Sequence, residues 1–62
     1  MRVIARGQTI AQLEESVNTL FGSEHYKIKE DKCLYHSKYG KMRNYIINYT
    51  EQEKRYVLYR IE

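Results

Sequence analysis

The chain has 62 residues, a net charge of +3 and a single cysteine, Cys33, so it has room for one domain, 1–62, and cannot form an internal disulfide. A domain of this size buries only about 60% of the surface of its unfolded chain, which predicts a small hydrophobic core and low stability. Self-association as a homodimer or other homo-oligomer would add buried surface, so the size of the chain favours it. No apolar run is long enough for a signal peptide or a membrane span, so the sequence predicts a cytoplasmic protein with no membrane partner.

The first element along the chain is a short strand over residues 1–6, which ends at Gly7. Val3, Ile4 and Ala5 follow one another within it and place apolar side chains on both faces. This pattern is typical of a central or well-covered strand. It leaves open whether the strand lies at the centre or at the edge of its sheet.

An amphipathic helix is predicted over residues 9–21. The Thr9 hydroxyl and the Gln12 side chain suit a capping box, in which Gln12 reaches back to the Thr9 amide, and Gly22 suits a left-handed residue at the helix end. The apolar side chains fall on one stripe, formed by Ile10, Leu13, Val17, Leu20 and Phe21. Four polar residues fall away from the centre of the stripe or opposite it, namely Glu14, Glu15, Asn18 and Thr19, and of these Glu14 and Glu15 are expected on the exposed side of the helix.

From His25 onward the apolar residues alternate with polar ones, which predicts three further strands. The alternating sets are, in chain order, Tyr26, Ile28 and Leu34; Tyr45, Ile47 and Tyr49; and Val57, Tyr59 and Ile61. A hairpin with Gly40 in the left-handed conformation joins the first two strands, and a turn over 50–53 joins the last two. Residues 30–32 interrupt the first strand, either as a bulge or as an additional tight turn.

Together these elements predict a two-layer α+β domain, with one helix packed on an antiparallel sheet in the order β-α-β-β-β. The middle strand of the last three is apolar on both sides, because Tyr45 and Ile47 point to one face and Met42 and Ile46 to the other. A single helix covers only one face. We therefore expect the other face to be rich in tyrosine and aliphatic surface, as interaction sites are.

The residues expected to contact a partner lie in and around a basic hairpin, because the segment 32–43 contains four basic residues and no acidic one. They are Tyr35, His36, Lys38, Tyr39, Lys41, Arg43 and Tyr45. The leading hypothesis is a small regulatory protein that binds a larger protein, as an inhibitor encoded by a phage or mobile element would. The alternative is a module that binds RNA or single-stranded DNA, to which Lys27 and Lys29 would add positive charge.

No enzymatic activity is expected from the motifs in this chain. His25 and His36 are the ingredients of a metal-independent ribonuclease, in which one imidazole removes a proton and the other delivers one, and this is a further alternative. Cys33 and His36 are too few for a metal site, and Cys33 is expected in or near the core. No glycine pattern for a nucleotide occurs. The sequence thus predicts binding without catalysis, metal or cofactor.

Overall fold

The computed structural model describes all residues, 1–62, and contains one helix and short antiparallel strands. The elements in chain order are β1 (Arg2–Gly7), α1 (Ile10–Phe21), β2 (Tyr26–Ile28), β3 (Leu34–His36), β4 (Gly40–Lys41), β5 (Tyr45–Thr50) and β6 (Arg55–Arg60). The predicted α+β class, with one helix after the first strand and antiparallel hairpins after the helix, is confirmed. The helix does not have the length and apolar character needed to cross a membrane.

The strands form two three-stranded sheets where the sequence suggested one. The large sheet has the order β1-β6-β5, and the small sheet has the order β2-β3-β4. The central strand of the large sheet is therefore β6, and β5, expected in the middle, is an edge strand. β1 is the other edge strand, because it pairs only with β6, which decides the position that the sequence left open. A bulge near Ile4 explains the misleading apolar run, since both Ile4 and Ala5 pack against the core.

The helix begins and ends where the sequence predicts. Thr9 is extended, and its hydroxyl accepts a hydrogen bond from the Gln12 N–H at 3.1 Å. The Gln12 side-chain oxygen accepts the N–H of Gln8 at 3.0 Å in place of that of Thr9, so the predicted capping box is shifted by one residue. Gly22 adopts φ 64° and closes the last turn of the helix.

Gly7, at the end of β1, allows the strand to approach the first turn of the helix closely. A Cβ atom at this position would lie 2.4 Å from the amide nitrogen of Leu13 and 2.7 Å from its Cα. A residue with a side chain would therefore push the helix away from the strand. Because Gly7 is present, the two residues Gln8 and Thr9 suffice to lead from the strand into the helix.

One hydrophobic cluster joins the helix to both sheets. Its buried members are Leu13 and Val17 of α1, Leu58 of β6, and Ile28 and Leu34 of the small sheet. Each of these side chains contributes about 1.5–3 kcal/mol by leaving water. The centre of the predicted apolar stripe, Leu13 and Val17, is buried as predicted, whereas Leu20 at the end of the stripe is 57% exposed.

Residues 30–32 form a tight turn between β2 and β3, which decides between the two alternatives that the sequence left open. Lys32 adopts a left-handed φ of 60°, and its N–H donates to Lys29 O at 2.9 Å. The carboxylate of Asp31 accepts the Cys33 N–H at 3.0 Å. Cys33 is half-buried beside this turn and is not part of the core cluster, contrary to expectation.

The other two turns lie close to the predicted positions, but the Gly40 hairpin joins β3 to β4 and not, as predicted, to the next long strand of the same sheet. Gly40 follows the turn between β3 and β4 with a left-handed φ of 76°. The turn over 51–54 joins β5 to β6, and the Thr50 hydroxyl accepts the Glu53 N–H at 3.1 Å. Both hairpins are therefore determined by local turn chemistry.

Two polar side chains of the helix bind the backbone of β2, an edge strand of the small sheet. The Asn18 amide group donates to Tyr26 O and accepts the Tyr26 N–H, both at 2.9 Å. The Glu14 carboxylate accepts the Ile28 N–H at 2.8 Å. Both side chains are half-buried, so the prediction that Glu14 lies on the exposed side of the helix is wrong. They take the place of a neighbouring strand and satisfy backbone groups of β2.

The face of the large sheet that points away from the helix is partly apolar, as predicted for the uncovered side of the sheet. The register places Val3, Tyr59 and Ile46 in one row across this reverse face. Val3 is 38% and Ile46 is 36% exposed. Val57 lies on the same face and outside the core cluster, but only 2% of its surface is exposed.

Candidate functional site

Three lysines gather around one tyrosine on the outer face of the small sheet. Ile28 and Leu34 point into the core, so the alternate residues of β2 and β3 point outward. Tyr35 pairs with Lys27 on one side and with Lys41 on the other, which forms a row across the sheet. The Lys29 ammonium lies 4.2 Å from the centroid of the Tyr35 ring. We call Lys27, Lys29, Tyr35 and Lys41 the basic face.

Asp31 is the acidic partner of the basic face. The Tyr35 hydroxyl donates to Asp31 Oδ2 at 2.5 Å. This bond lowers the pKa of Asp31 below 3.8 and raises the pKa of Tyr35 above 10.0. The hydrogen bond from the Cys33 N–H and the positive charge of Lys41 also lower the pKa of Asp31. Asp31 is therefore ionised at neutral pH, and its one negative charge opposes three ammonium groups.

A row of stacked and edge-packed rings runs from β5 to the tip of the β3–β4 hairpin. We call it the aromatic row, and its members are, in order, Tyr45, Phe21, Tyr26, His36 and Tyr39. The successive ring centroids are 6.4, 4.9, 4.9 and 4.7 Å apart. Tyr39 at the hairpin tip is 71% exposed, and the Lys38 ammonium lies 5.5 Å from its ring centroid. The row thus ends in an accessible aromatic surface beside a positive charge.

The structure brings the two histidines together. The ring centroids of His25 and His36 are 5.4 Å apart. His36 Nδ1 accepts the backbone N–H groups of Lys38 at 3.0 Å and Tyr39 at 3.3 Å, so the neutral ring carries its proton on Nε2. His25 Nδ1 is 3.1 Å from Ser37 Oγ. Both Nδ1 atoms therefore hold the hairpin, and only the Nε2 atoms are left for a ligand. The ribonuclease alternative stays a prediction.

An open groove of about 490 Å³ lies beside the basic face. Its lining includes His25, Lys27, Lys29, Tyr35 and Ser37, with Glu14 and Asn18 on the helix side. Larger depressions of about 630 and 550 Å³ flank the helix, but they contain no lysine and no aromatic side chain. The groove beside the basic face is therefore the one of the three lined by two lysines and by aromatic rings, although two carboxylates, Glu14 and Glu24, also line it.

The predicted partner-binding residues do not form one surface. Two of them belong to the basic face, Tyr35 and Lys41. Three lie at the hairpin end of the aromatic row, His36, Lys38 and Tyr39. Of the remaining two, Arg43 is exposed in the turn before β5, and Tyr45 lies at the opposite end of the aromatic row, packed against the core. Adjacent residues of β3 point to opposite sides of the small sheet, which separates Tyr35 from His36.

Sequence reasoning missed the contribution of Asp31, Phe21 and Tyr26 to these surfaces. Once residues 30–32 are recognised as a turn, the hairpin register brings Asp31 back to Tyr35 and places Lys27 opposite it. That turn contains no glycine, so its signal in the sequence is weak. Phe21 joins the aromatic row because the helix ends beside Tyr26.

Comparison of the chain with protein-family models, with curated proteins and with solved structures finds no match.

Proposed function

We propose that this chain is a small non-enzymatic binding protein of the cytoplasm, and that its basic face binds single-stranded nucleic acid. The observation that carries the proposal is the row formed by Lys27, Tyr35 and Lys41, with the Lys29 ammonium over the ring of the central tyrosine. Ammonium groups neutralise phosphates, and aromatic rings that solvent can reach stack on bases; the Tyr35 ring is half-exposed. One short sheet supplies both kinds of group.

The dimensions of the basic face favour a single strand over a duplex. Lys27 and Lys41 lie two strand spacings apart, about 10 Å, so their flexible side chains can reach phosphates on either side of a base that contacts Tyr35. The exposed ring of Tyr39 offers a further stacking surface at the hairpin tip. The helix packs against both sheets and contains no lysine or arginine, so it has no basic face to insert into the major groove of a duplex.

The test is fluorescence anisotropy with labelled oligo(U), oligo(dT) and a DNA duplex at a series of salt concentrations. We expect both single strands to bind more tightly than the duplex. If the three lysines of the basic face contact phosphates, the logarithm of the association constant falls with the logarithm of salt with a slope of about −2. Binding that is independent of salt, or no binding at low salt, would contradict the proposal.

A matched pair of double variants locates the site. Lys27→Gln with Lys41→Gln removes two charges from the basic face, and Arg6→Gln with Lys54→Gln removes two charges from the large sheet and its turn. We expect the first pair to weaken binding about tenfold and to reduce the salt slope by about 1.4. The second pair should change affinity by less than about twofold. Equal effects would show that only net charge matters and would refute the assignment of the site.

The partly apolar reverse face of the large sheet favours a second candidate function, a regulator that binds a larger protein, of the kind that phages and mobile elements encode. Val3 and Ile46 are exposed there next to Tyr59, a combination common in protein interfaces. The two candidates are separated by nuclease treatment. A protein partner captured from a nuclease-treated lysate and lost in an Ile46→Lys variant would favour the second candidate, provided that oligonucleotides do not bind.

The oligo(U) used in the binding experiment also tests whether the chain acts without catalysis. Intact RNA at the end of the incubation supports binding alone. Cleavage that is abolished by His36→Ala would support the ribonuclease alternative, for which the proximity of His25 and His36 is the specific observation.

We also propose that the chain is a homodimer. The supporting observation is that the large sheet ends in an edge strand, β5, whose outer backbone groups have no partner strand.

A further inference from the structure

The backbone of β5 presents unused hydrogen-bonding groups at the edge of the large sheet. Ile61 N–H donates to Asn44 O at 2.7 Å, so residues 44 and 61 are a hydrogen-bonded pair. Hydrogen-bonded and non-hydrogen-bonded pairs alternate along an antiparallel ladder, so Tyr45, Ile47 and Tyr49 of β5 belong to non-hydrogen-bonded pairs. The N–H and C=O groups of Tyr45, Ile47 and Tyr49 consequently point away from β6. The N–H groups of Ile47 and Tyr49 make no hydrogen bond within the chain.

The two edges of the large sheet differ in how well they are protected against pairing with another strand. β1 carries two charged residues, Arg2 and Arg6, and an irregular register between Val3 and Ala5. Charges and bulges are the devices by which proteins block an edge strand. β5 has six residues, Tyr45–Thr50, with no charge, proline, glycine or bulge. β5 therefore lacks the charges, proline and bulge that protect edge strands, and its outer N–H groups are unused beyond Tyr45, whose N–H bonds to Met42 O.

We propose that β5 pairs antiparallel with β5 of a second copy of this chain, around a twofold axis at Ile47, so that the two large sheets become one. This register aligns the outward-pointing N–H and C=O groups of the two strands. It places Tyr45 of each copy opposite Tyr49 of the other, and the two Ile47 residues opposite each other. Tyr45 N–H already donates to Met42 O at 3.3 Å, so the new ladder uses the N–H groups of Ile47 and Tyr49 as donors and the carbonyls of Ile47 and Tyr45 as acceptors.

The charges that flank β5 select a second copy over an unrelated strand. Arg43 precedes the strand and Glu51 follows it, and both are exposed. Arg43 lies in the turn before β5 and Glu51 in the turn after it, so antiparallel pairing brings the Arg43 end of each copy to the Glu51 end of the other, and opposite charges meet at both ends of the interface. The uncharged middle of the strand brings no like charges together. The segment 43–51 is therefore complementary to itself.

The inference deepens the homodimer part of the proposed function and does not depend on nucleic-acid binding, because the basic face belongs to the small sheet. Its first test is sedimentation velocity of the full chain, without nucleic acid, from micromolar to near-millimolar concentration. We expect a monomer–dimer equilibrium. Arg43→Glu or Glu51→Arg alone should raise the dimer dissociation constant about tenfold, because attraction becomes repulsion at both ends of the interface. The double exchange, R43E with E51R, should restore the wild-type dissociation constant.

A second pair of variants tests the backbone ladder directly. Tyr49→Pro and Tyr49→Ala both remove the ring, but only proline removes the outward-pointing N–H, which makes no bond within the chain. Y49P should therefore be monomeric at concentrations where Y49A still dimerises, with both variants folded by circular dichroism. A monomeric wild type at near-millimolar concentration would overturn the proposal. So would a dimer that responds neither to the charge reversals nor to the proline.

Discussion

The two hydrogen bonds between Asn18 and the backbone of Tyr26 are expected to hold the small sheet against the helix. In an Asn18→Ala variant, the N–H and the C=O of Tyr26 both lose their partner at 2.9 Å in a half-buried place. Each lost bond costs about 1 kcal/mol, and the better helix propensity of alanine returns about 0.6 kcal/mol. We therefore expect Asn18→Ala to lower the free energy of unfolding by about 1.5 kcal/mol.

That loss would be large for this chain, since a 62-residue domain has a free energy of unfolding of only about 3–9 kcal/mol. Urea unfolding followed by circular dichroism measures it. The matched control is Thr19→Ala at the next helical position, which is exposed and makes no hydrogen bond through its side chain. Thr19→Ala gains helix propensity without losing a contact, so it should leave stability unchanged or raise it by about 0.5 kcal/mol.

Hydrogen exchange identifies where the loss occurs. The Tyr26 amide should lose protection in Asn18→Ala by more than the amides of β6, because the small sheet separates from the helix before the whole domain unfolds. Asn18 would not hold the small sheet against the helix if Asn18→Ala were as stable as Thr19→Ala and the Tyr26 amide exchanged at the wild-type rate.

Three further predictions follow from the same structure. Gly7→Ala should destabilise the fold by about 3 kcal/mol in urea unfolding, because its Cβ would lie 2.4 Å from the amide nitrogen of Leu13, and unchanged stability would contradict that close approach. Leu34→Ala should cost about 2–5 kcal/mol because Leu34 is buried in the core cluster, whereas Leu20→Ala on the exposed side should cost less than about 0.5 kcal/mol. The Tyr35–Asp31 bond should stabilise the fold between its two titrations: its contribution is lost as pH falls through the Asp31 pKa below 3.8, and as pH rises through the Tyr35 pKa above 10.0. Carbon NMR of the Asp31 carboxyl in wild type and Tyr35→Phe checks this, because the variant should return the Asp31 pKa towards 3.8.

The parts of the fold that local chemistry determines could be predicted from the sequence. The helix 10–21 follows from the spacing of its apolar residues, from Thr9 at its start and from Gly22 at its end. Gly40 likewise marks the second hairpin. These features depend on residues close together in the chain, where periodicity and conformational preference act directly.

The division into two sheets depends on contacts that leave no periodic signal. The turn over 30–32 places a lysine in the left-handed conformation, which sequence preference does not favour. Asn18 and Glu14 reach backbone groups 8 and 14 residues away, and a polar residue that binds a distant strand resembles in sequence one that faces water. The site was correspondingly harder to predict than the fold, because the register of β2 and β3 decides which lysines accompany Tyr35.

The basic face is ordered only because the small sheet that carries it packs against the helix. The strands of the small sheet have only three, three and two residues, and such a sheet is not stable alone in water. One side of it is held by Ile28 and Leu34 in the core, and its edge is held by Asn18 and Glu14. The lysines on the other side keep their spacing only while these contacts persist. A substitution at Asn18, which does not touch the basic face, should therefore weaken oligonucleotide binding together with stability, whereas a lysine substitution should weaken binding alone.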